Sequence, residues 1–503
     1  MTGPIAASPS SERSLYDLVP YPGYAYPQTH PDRLATVATL FGVEPPTLAT
    51  SRVLELGCGD AGNLVAMAVS LPSAHFLGVD ASRTAIARGQ MLVAALGLSN
   101  LTLEAVPVEQ LEPNPGGFDY VIAHGVYSWV APPVRDRLLE LCRSALSERG
   151  VAYVSYDALP GGRLKQVLRD MLVFHTAGVE EPEERLERAR SLLHFLIAGW
   201  SEEHEFGAVM RRQAERLLER SGETLLHDEL AAVNEPVYFQ EFAARAARHG
   251  LQYLAEADFF ETQTGVLPGQ AGEDLARVGD PLAREQYLDF LKGRMFRQTL
   301  LCRAELALDR SPRPLLTLRL AASSPARPSD GRDRNGRVRF EGPTGATLTT
   351  DHPLVIKALE RVGKAWPDAI WVRDLLPEHP ADDDRHAVCD AVLRCYAGNL
   401  VQLHMRRPAL TTSVSERPQA SPLARHQAGS GHFVTNLRHE MVRIDDDLGR
   451  RLVTLLDGKH DHTSLAWSLR SYLRAVGREV PDDLDGGLER SLRGLAALAL
   501  LRS

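Results

Sequence analysis

Cysteine is scarce. The five in 503 residues, Cys58, Cys142, Cys302, Cys389 and Cys395, include no C-x-x-C pair. A sparse, odd set excludes a disulfide framework and points to a reducing compartment, so we expect a cytoplasmic protein. Long apolar runs are missing too: none approaches the roughly 18 residues that a membrane span needs. The opening "MTGPIAASPSSERSLYD" lacks the apolar centre of a secretory signal. Positive charge is not in excess, since 56 Lys and Arg face 65 Asp and Glu for a net charge of −9. That sign gives no default attraction to a phosphate backbone, and we expect no nucleic-acid partner. His204, His227 and His249 have no acidic partner at ligand spacing, and "DGKHDH" (Asp457 to His462) reads as a polar turn. We therefore expect no metal. No repeat of fixed period is present.

What is present suits several domains. Residues 1–50 begin Pro- and Tyr-rich ("LVPYPGYAYPQTHPDRL") and are expected to form a segment that folds over the site as a lid, the alternative being a strap packed against the catalytic domain. Residues 51–163 alternate strand patterns ("RVLEL", "HFLGVD", "LTLEAV", "FDYVIAH", "VAYVSYD") with helical ones. This alternation predicts an α/β, doubly wound, Rossmann-like sheet. Strand signals vanish from about Leu164 to Leu308, and the apolar period near 3.6 predicts a helical middle domain over 164–310. Pro, Ser, Arg and Gly make 311–340 a linker, and helices followed by a polar–apolar ribbon make 341–503 winged-helix-like. In the tail Arg438, Arg443, Arg450 and Arg451 lie among Glu440, Asp445, Asp446 and Asp447, a balance that favours protein contact over DNA.

The loop in "RVLELGCGDAGNLVAMA" (Arg52 to Ala68) matches G-x-G-x-x-G at Gly57, Gly59 and Gly62. Glycines there allow a tight turn and close approach of backbone N–H groups to a ligand. Asp80, closing the next strand, can accept hydrogen bonds from both ribose hydroxyls. These features serve a dinucleotide and S-adenosylmethionine alike, and a plain strand–helix turn also uses them. Glu55 discriminates. A carboxylate two residues before Gly57 would repel a pyrophosphate but can orient a methionyl ammonium, so we expect S-adenosyl-L-methionine and not NAD. Ala61 stands where a third loop glycine is usual, and Pro107 where the third strand usually ends in an acid; this leaves adenine to Val108 and backbone.

"FDYVIAHGVYSWV" (Phe118 to Val130) brings His124, Gly125, Tyr127, Ser128 and Trp129 to the end of the fourth strand. Open α/β sheets bind ligands at that edge. Aromatic walls there would desolvate an incoming amine and lower its pKa. The alternative is that Tyr127 and Trp129 only pack a helix against the sheet.

These strings, with "VSYDALPGG", "LLHDELAAVNEPVYFQEFAARAARHGLQYLAEADF" and "QYLDFLKGRMFRQTLLCRAEL", resemble bacterial class I methyltransferases with a methyltransferase regulatory domain. The tail is similar to the C-terminal winged helix of the rickettsial outer-membrane-protein lysine methyltransferases. The resemblance implies methyl transfer from S-adenosylmethionine to protein lysine; a small-molecule N- or O-methyltransferase and an inactive binding protein on the same fold are the rivals. The expected catalytic residues are His124, Tyr127 and Trp129. The expected cofactor residues are Glu55, Gly57, Cys58, Gly59, Asn63, Asp80, Ala81, Ser82, Val108, His124 and Gly125. A protein substrate is the expected partner, and a homodimer is carried as a further expectation.

Overall fold

The structure is a computed structural model that describes residues 15–502 apart from 113, 264–266, 268, 330, 332 and 334. The first fourteen residues, read above for an export signal, lie outside the described residues, as do three positions of the expected linker. Strands β1 (Arg52–Leu56), β2 (His75–Asp80), β3 (Leu101–Ala105), β4 (Phe118–Ala123) and β5 (Leu146–Asp157) pair in parallel in the order β3-β2-β1-β4-β5. In β1 only Arg52 is exposed, as expected of a strand covered on both faces. Register sets Glu55 beside Gly78 of β2 and Ile122 of β4, at the carboxyl edge. Short α1 (Leu15–Leu18) and α2 (Pro31–Leu40) precede the sheet; α3 (Gly62–Ser70), α4 (Arg83–Leu96) and α5 (Pro132–Ala145) connect its strands. Ser82 starts α4 by accepting the Ala85 N–H, and Gly97, left-handed at φ 65°, ends it.

The middle of the chain supplies α6 (Gly162–His175), α7 (Pro182–Gly199), α8 (Glu205–Leu218), α9 (Gly222–Thr224), a π-turn at Leu225–Glu229, α10 (Phe239–Arg248), α11 (Ala271–Ala276) and α12 (Pro281–Lys292). The reading that strands vanish here is corrected. β6 (Leu251–Glu256) and β7 (Phe296–Arg303) extend the main sheet, β7 antiparallel to β5 and β6 antiparallel to β7. The sheet therefore has seven strands, ordered β3-β2-β1-β4-β5-β7-β6. A buried ion cluster fixes the addition. Arg297 of β7 donates to Glu256 of β6 at 2.6 Å and to Glu285 and Asp289 of α12 at 3.0 and 2.9 Å, over the ring of Phe239.

The linker over 311–340 is also corrected. A 3-10 helix at Pro314–Arg319 leads into β8 (Ala321–Ser323), which is fully buried and pairs with β12 (Ile370–Trp371) and β13 (Gln402–His404). β9 (Arg327–Pro328), β10 (Val338–Glu341) and β11 (Thr347–Thr350) form a second small sheet, and α13 (Pro353–Ala365) and α14 (Asp382–Ala397) share a core with Leu320, Val338 and Phe340. A separate core lies among α15 (Pro422–Ser430), α16 (Asp447–Leu455), α17 (His462–Ala475) and α18 (Leu484–Ala497), with the hairpin β14 (Phe433–Thr435) and β15 (Met441–Arg443). The stretch expected as one winged-helix-like domain thus holds two cores. Among the described residues no helix is long and apolar enough to cross a membrane.

Candidate active site

The turn after β1 is tied to β2, because the N–H groups of Gly57 and Cys58 both donate to the Val79 carbonyl. Gly57 and Gly59 are left-handed at φ 72° and 56°. A Cβ on Gly57 would fall 2.5 Å from Val126, whereas none of the described atoms comes within 4 Å of one on Gly59. The third glycine serves a different neighbour. A Cβ on Gly62 would meet the Gly23 carbonyl at 2.3 Å, so Gly62 makes room for the chain that runs from α1 to α2. Ala61 adopts the left-handed φ of 61° that the missing glycine would have favoured.

Glu55 is 4% exposed. Its Oε1 accepts from Asn63 Nδ2 at 2.8 Å, while Oε2 is buried without a hydrogen-bond partner among the described residues. Burial raises its pKa to about 8; the Asn63 bond opposes the shift, and Asp80 and Asp60 add to it. A cationic group such as an ammonium is the kind of partner that this buried oxygen would accept. Asp80 accepts from Gly59 N at 2.9 Å and Ser82 N at 2.8 Å, which fixes its carboxylate at the end of β2. Ala81 is exposed beside it. Ser82 Oγ donates to Asp17 Oδ1 at 2.6 Å. Cys58 is buried and its thiol pKa is pushed up by burial, which removes it as a nucleophile. Val108 is buried with Leu54, Leu56 and Val79.

The chain before β1 lies over this edge. The N–H of Tyr26 donates to Asn63 Oδ1 at 3.0 Å, and its ring sits 4.1 Å from the imidazole of His124. Val19 O lies 2.8 Å from His227 Nε2, and Tyr24 packs edge-on to Phe433. The segment therefore touches the sheet, the middle helices and the tail.

At the end of β4, His124 Nδ1 lies 3.1 Å from both Tyr153 Oη and Ser155 Oγ, and Gly125 N donates to Ser155 Oγ at 2.8 Å. Burial lowers the His124 pKa to about 4. The ring is neutral near pH 7 and orients neighbours better than it takes protons. Gly125 is exposed at φ 68° with open space around it. Tyr127 does not line this space, contrary to its expected role as a channel wall. It is 1% exposed and packed 5.1 Å from Phe242 and 5.7 Å from Tyr156, because the 3-10 turn Tyr127–Trp129 directs it into the core. Trp129 is only half-buried, with its indole N–H unpartnered among the described residues.

A lysine ammonium sits over Trp129. Lys165 Nζ is 5.3 Å from the ring centre, 3.0 Å from Asp157 Oδ2 and 3.6 Å from Glu229 Oε1. Asn234 Nδ2 donates to the same Asp157 oxygen at 2.9 Å. Asp157, Lys165 and Glu229 come from the end of β5, α6 and the π-turn, and Asn234 from the chain between that turn and α10. The sequence reading missed Asp157, Lys165, Glu229 and Asn234, although "VSYDALPGG" and "LLHDELAAVNEP" contain three of them. It also missed Tyr26, Tyr153, Ser155 and His439; the last lies 2.9 Å from Asn63 across 376 residues. Among the described residues no group of His, Cys, Asp and Glu could hold a metal ion.

Family descriptions match three stretches in chain order: "Methyltransferase domain" at 53–150, "Predicted methyltransferase regulatory domain" at 221–303 and "PKMT, C-terminal winged helix domain" at 416–482. An uncharacterized protein of Rickettsia prowazekii (strain Madrid E) is 31% identical over 479 residues, covering 90% of this chain and 85% of its own length. The solved structure of PKMT2 from Rickettsia typhi in complex with AdoHcy aligns at a TM-score of 0.85 and 26% identity, over 96% of this chain and 100% of that one. Trans-aconitate 2-methyltransferase of Methylobacterium nodulans is 30% identical over 175 residues, 34% of this chain and 54% of its own. The Glu55 and Asp80 edge, the seven-stranded sheet and these likenesses agree: the chain belongs to the S-adenosylmethionine-dependent methyltransferases that carry a methyltransferase regulatory domain and a PKMT-type winged helix.

Proposed function

We propose that the acceptor is a lysine side chain of a protein. The observation that carries this reading is the ammonium of Lys165 held over Trp129 by Asp157 and Glu229. Aromatic faces and carboxylates suit a lysine ammonium, and this cradle is built at the carboxyl end of β5, the strand beside β4. The likeness to a PKMT over nearly the full chain supports the same acceptor class.

In this reading Glu55 receives the methionyl ammonium at Oε2, and Asp80 receives the ribose hydroxyls. Gly57, Cys58 and Gly59 line the turn with Ala81 and Ser82 beside it, Asn63 holds Glu55, and Val108 backs the adenine. Bound S-adenosylmethionine supplies a sulfonium methyl that a neutral amine can attack in line. The chain contributes orientation and exclusion of water. The acceptor amine releases its proton to solvent as it enters, Trp129 desolvates it, and neutral His124 and Gly125 line its approach. Residues 15–50 act as the lid, 51–163 with β6 and β7 as the transfer unit, and the rest selects the acceptor. Phe174, Phe195 and Phe206 on α6–α8 are 85%, 70% and 50% exposed and offer apolar surface for a protein substrate or a second copy. Five free, buried cysteines accord with work in the cytoplasm.

The test is incubation of the purified chain with labelled S-adenosylmethionine and a lysate of a strain deleted for it, followed by peptide mass spectrometry. Methyl groups on lysines of a discrete protein are expected. Label confined to small molecules would overturn the reading.

A further inference from the structure

The hairpin β14–β15 ends in the turn Asn436–Glu440, and its tip enters the catalytic unit. Asn436 Oδ1 accepts the N–H groups of Arg438 and Glu440 at 2.9 Å each, which closes the turn. Arg438 anchors it: the guanidinium lies 4.3 Å from the centre of the Trp366 ring and donates to Pro367 O at 3.0 Å. Between these supports His439 is held at φ 62° and is 5% exposed. Its Nε2 lies 2.9 Å from Asn63 Oδ1.

The hydrogen bonds around Asn63 leave little freedom. Nδ2 donates to Glu55 Oε1 at 2.8 Å and to Thr29 Oγ1 at 3.0 Å. Oδ1 accepts from Tyr26 N at 3.0 Å; Thr29 Oγ1 lies 3.3 Å from it but has a nearer acceptor for its proton in Tyr26 O at 2.8 Å. An amide has two donors and two acceptor lone pairs. The remaining lone pair faces His439, so Nε2 must carry the proton there. The opposite amide orientation would set a carbonyl against the Glu55 carboxylate and Nδ2 against the Tyr26 N–H. The tail thus completes the shell that aims Asn63 at Glu55 and leaves the buried Glu55 Oε2 without a hydrogen-bond partner among the described residues.

We propose that His439 is a positioning residue of the methyl-transfer site: through Asn63, the C-terminal domain sets the carboxylate that receives the amino-acid end of the cofactor. This rests on the assignment of Glu55 to the methionyl ammonium. It makes docking of the tail part of cofactor recognition, although the tail need not touch the cofactor.

Two nucleosides separate this role from general support of the cleft. S-adenosylhomocysteine carries the amino-acid end, and 5′-methylthioadenosine lacks it. Calorimetry on the full chain compares His439→Leu, similar in bulk without a donor, with His439→Gln, whose amide N–H can reach Asn63. His439→Leu is expected to weaken S-adenosylhomocysteine at least tenfold and to leave 5′-methylthioadenosine within twofold; His439→Gln is expected to restore most of the loss. His439→Ala repeats the comparison if the leucine variant does not fold. Equal loss of both ligands, no loss of either, or no difference between the glutamine and leucine variants would overturn the proposal. Glu55→Gln is measured beside them. If it weakens S-adenosylhomocysteine while His439→Leu does not, only the His439 role falls; if it changes nothing, the Glu55 assignment falls and the His439 role with it.

Discussion

Tyr127 and Trp129 are two residues apart and face different surroundings. Tyr127 fills the core against Phe242 and Tyr156, while Trp129 lies under a lysine ammonium. Tyr127→Ala should cost about 3–5 kcal/mol of stability, as for other large aromatic truncations, with cofactor binding and activity falling together in urea titration and calorimetry. Trp129→Ala should lower the rate of methyl transfer at least tenfold and leave S-adenosylhomocysteine affinity within about threefold, under 1 kcal/mol. Glu55 makes a prediction about pH. With its pKa raised to about 8, it is mostly protonated at pH 6.5, and only its ionised form attracts an ammonium. S-adenosylhomocysteine affinity should therefore rise several-fold from pH 6.5 to 8, and Glu55→Gln should flatten the profile in calorimetry. The free protein should show the opposite trend in this group's contribution, losing stability from about pH 4.5 to about 8, because the folded state holds the proton more tightly. Glu55 and Asp80 were legible because each lies beside a glycine turn at a fixed offset. His439 was not, because no local pattern announces a contact made 376 residues away. Spatial adjacency misleads as readily as sequence. Ser323, His404 and Asp32 have the connectivity of a hydrolase triad at 2.9 and 3.0 Å, yet Ser323 is fully buried and its hydroxyl also receives Arg438. Asp32 accepts the N–H groups of Met405 and Arg406 as well, so the set pins α2 to the end of β13.

At the scale of elements, the five parallel strands were readable because each pairs a short apolar run with a turn signal. β6 and β7 were not. Both faces of β7 are largely buried, so its apolar residues form a run without alternation, and such a run reads equally as helix. The available signals were Gly250 and Gly293, left-handed at φ 71° and 57°, which end α10 and α12 just before those strands. The linker failed for a related reason: small residues in β8 read as flexible, but they let β12 and β13 approach from either side. That the segment from α1 to α2 is mostly irregular was legible from its prolines and tyrosines, but its seat on Gly62 was not. Gly62→Ala would place a methyl 2.3 Å from the Gly23 carbonyl, a backbone atom, and must lift the segment. The amides of residues 23–29 should then exchange faster with deuterium, and S-adenosylhomocysteine should bind at least fivefold more weakly. Unchanged exchange at Tyr26 would show that the segment is held elsewhere.

For the whole molecule, the sheet decides which parts can be separated. A reading of domains in succession invites a fragment ending near Gly162 as an independent cofactor-binding unit. β5 forbids it: its free side pairs with β7 along Ala152–Asp157, and that partner lies well beyond the cut. The fragment should aggregate and fail to bind S-adenosylhomocysteine, whereas residues 15–310 should recover solubility but, lacking His439, bind it more weakly than the full chain; sedimentation separates the two fragments, and calorimetry compares the longer one with the full chain. The same pairing matters during synthesis. About 140 residues separate Asp157 from Phe296, and at roughly 5–20 residues per second a ribosome takes about 7–28 s to make them. Throughout that interval the nascent chain exposes an apolar strand edge, the template for pairing with another chain. Expression yield should then depend on how quickly this interval is translated and on chaperones that shield such an edge, so codon usage between β5 and β7 becomes a determinant of how much active enzyme a cell obtains.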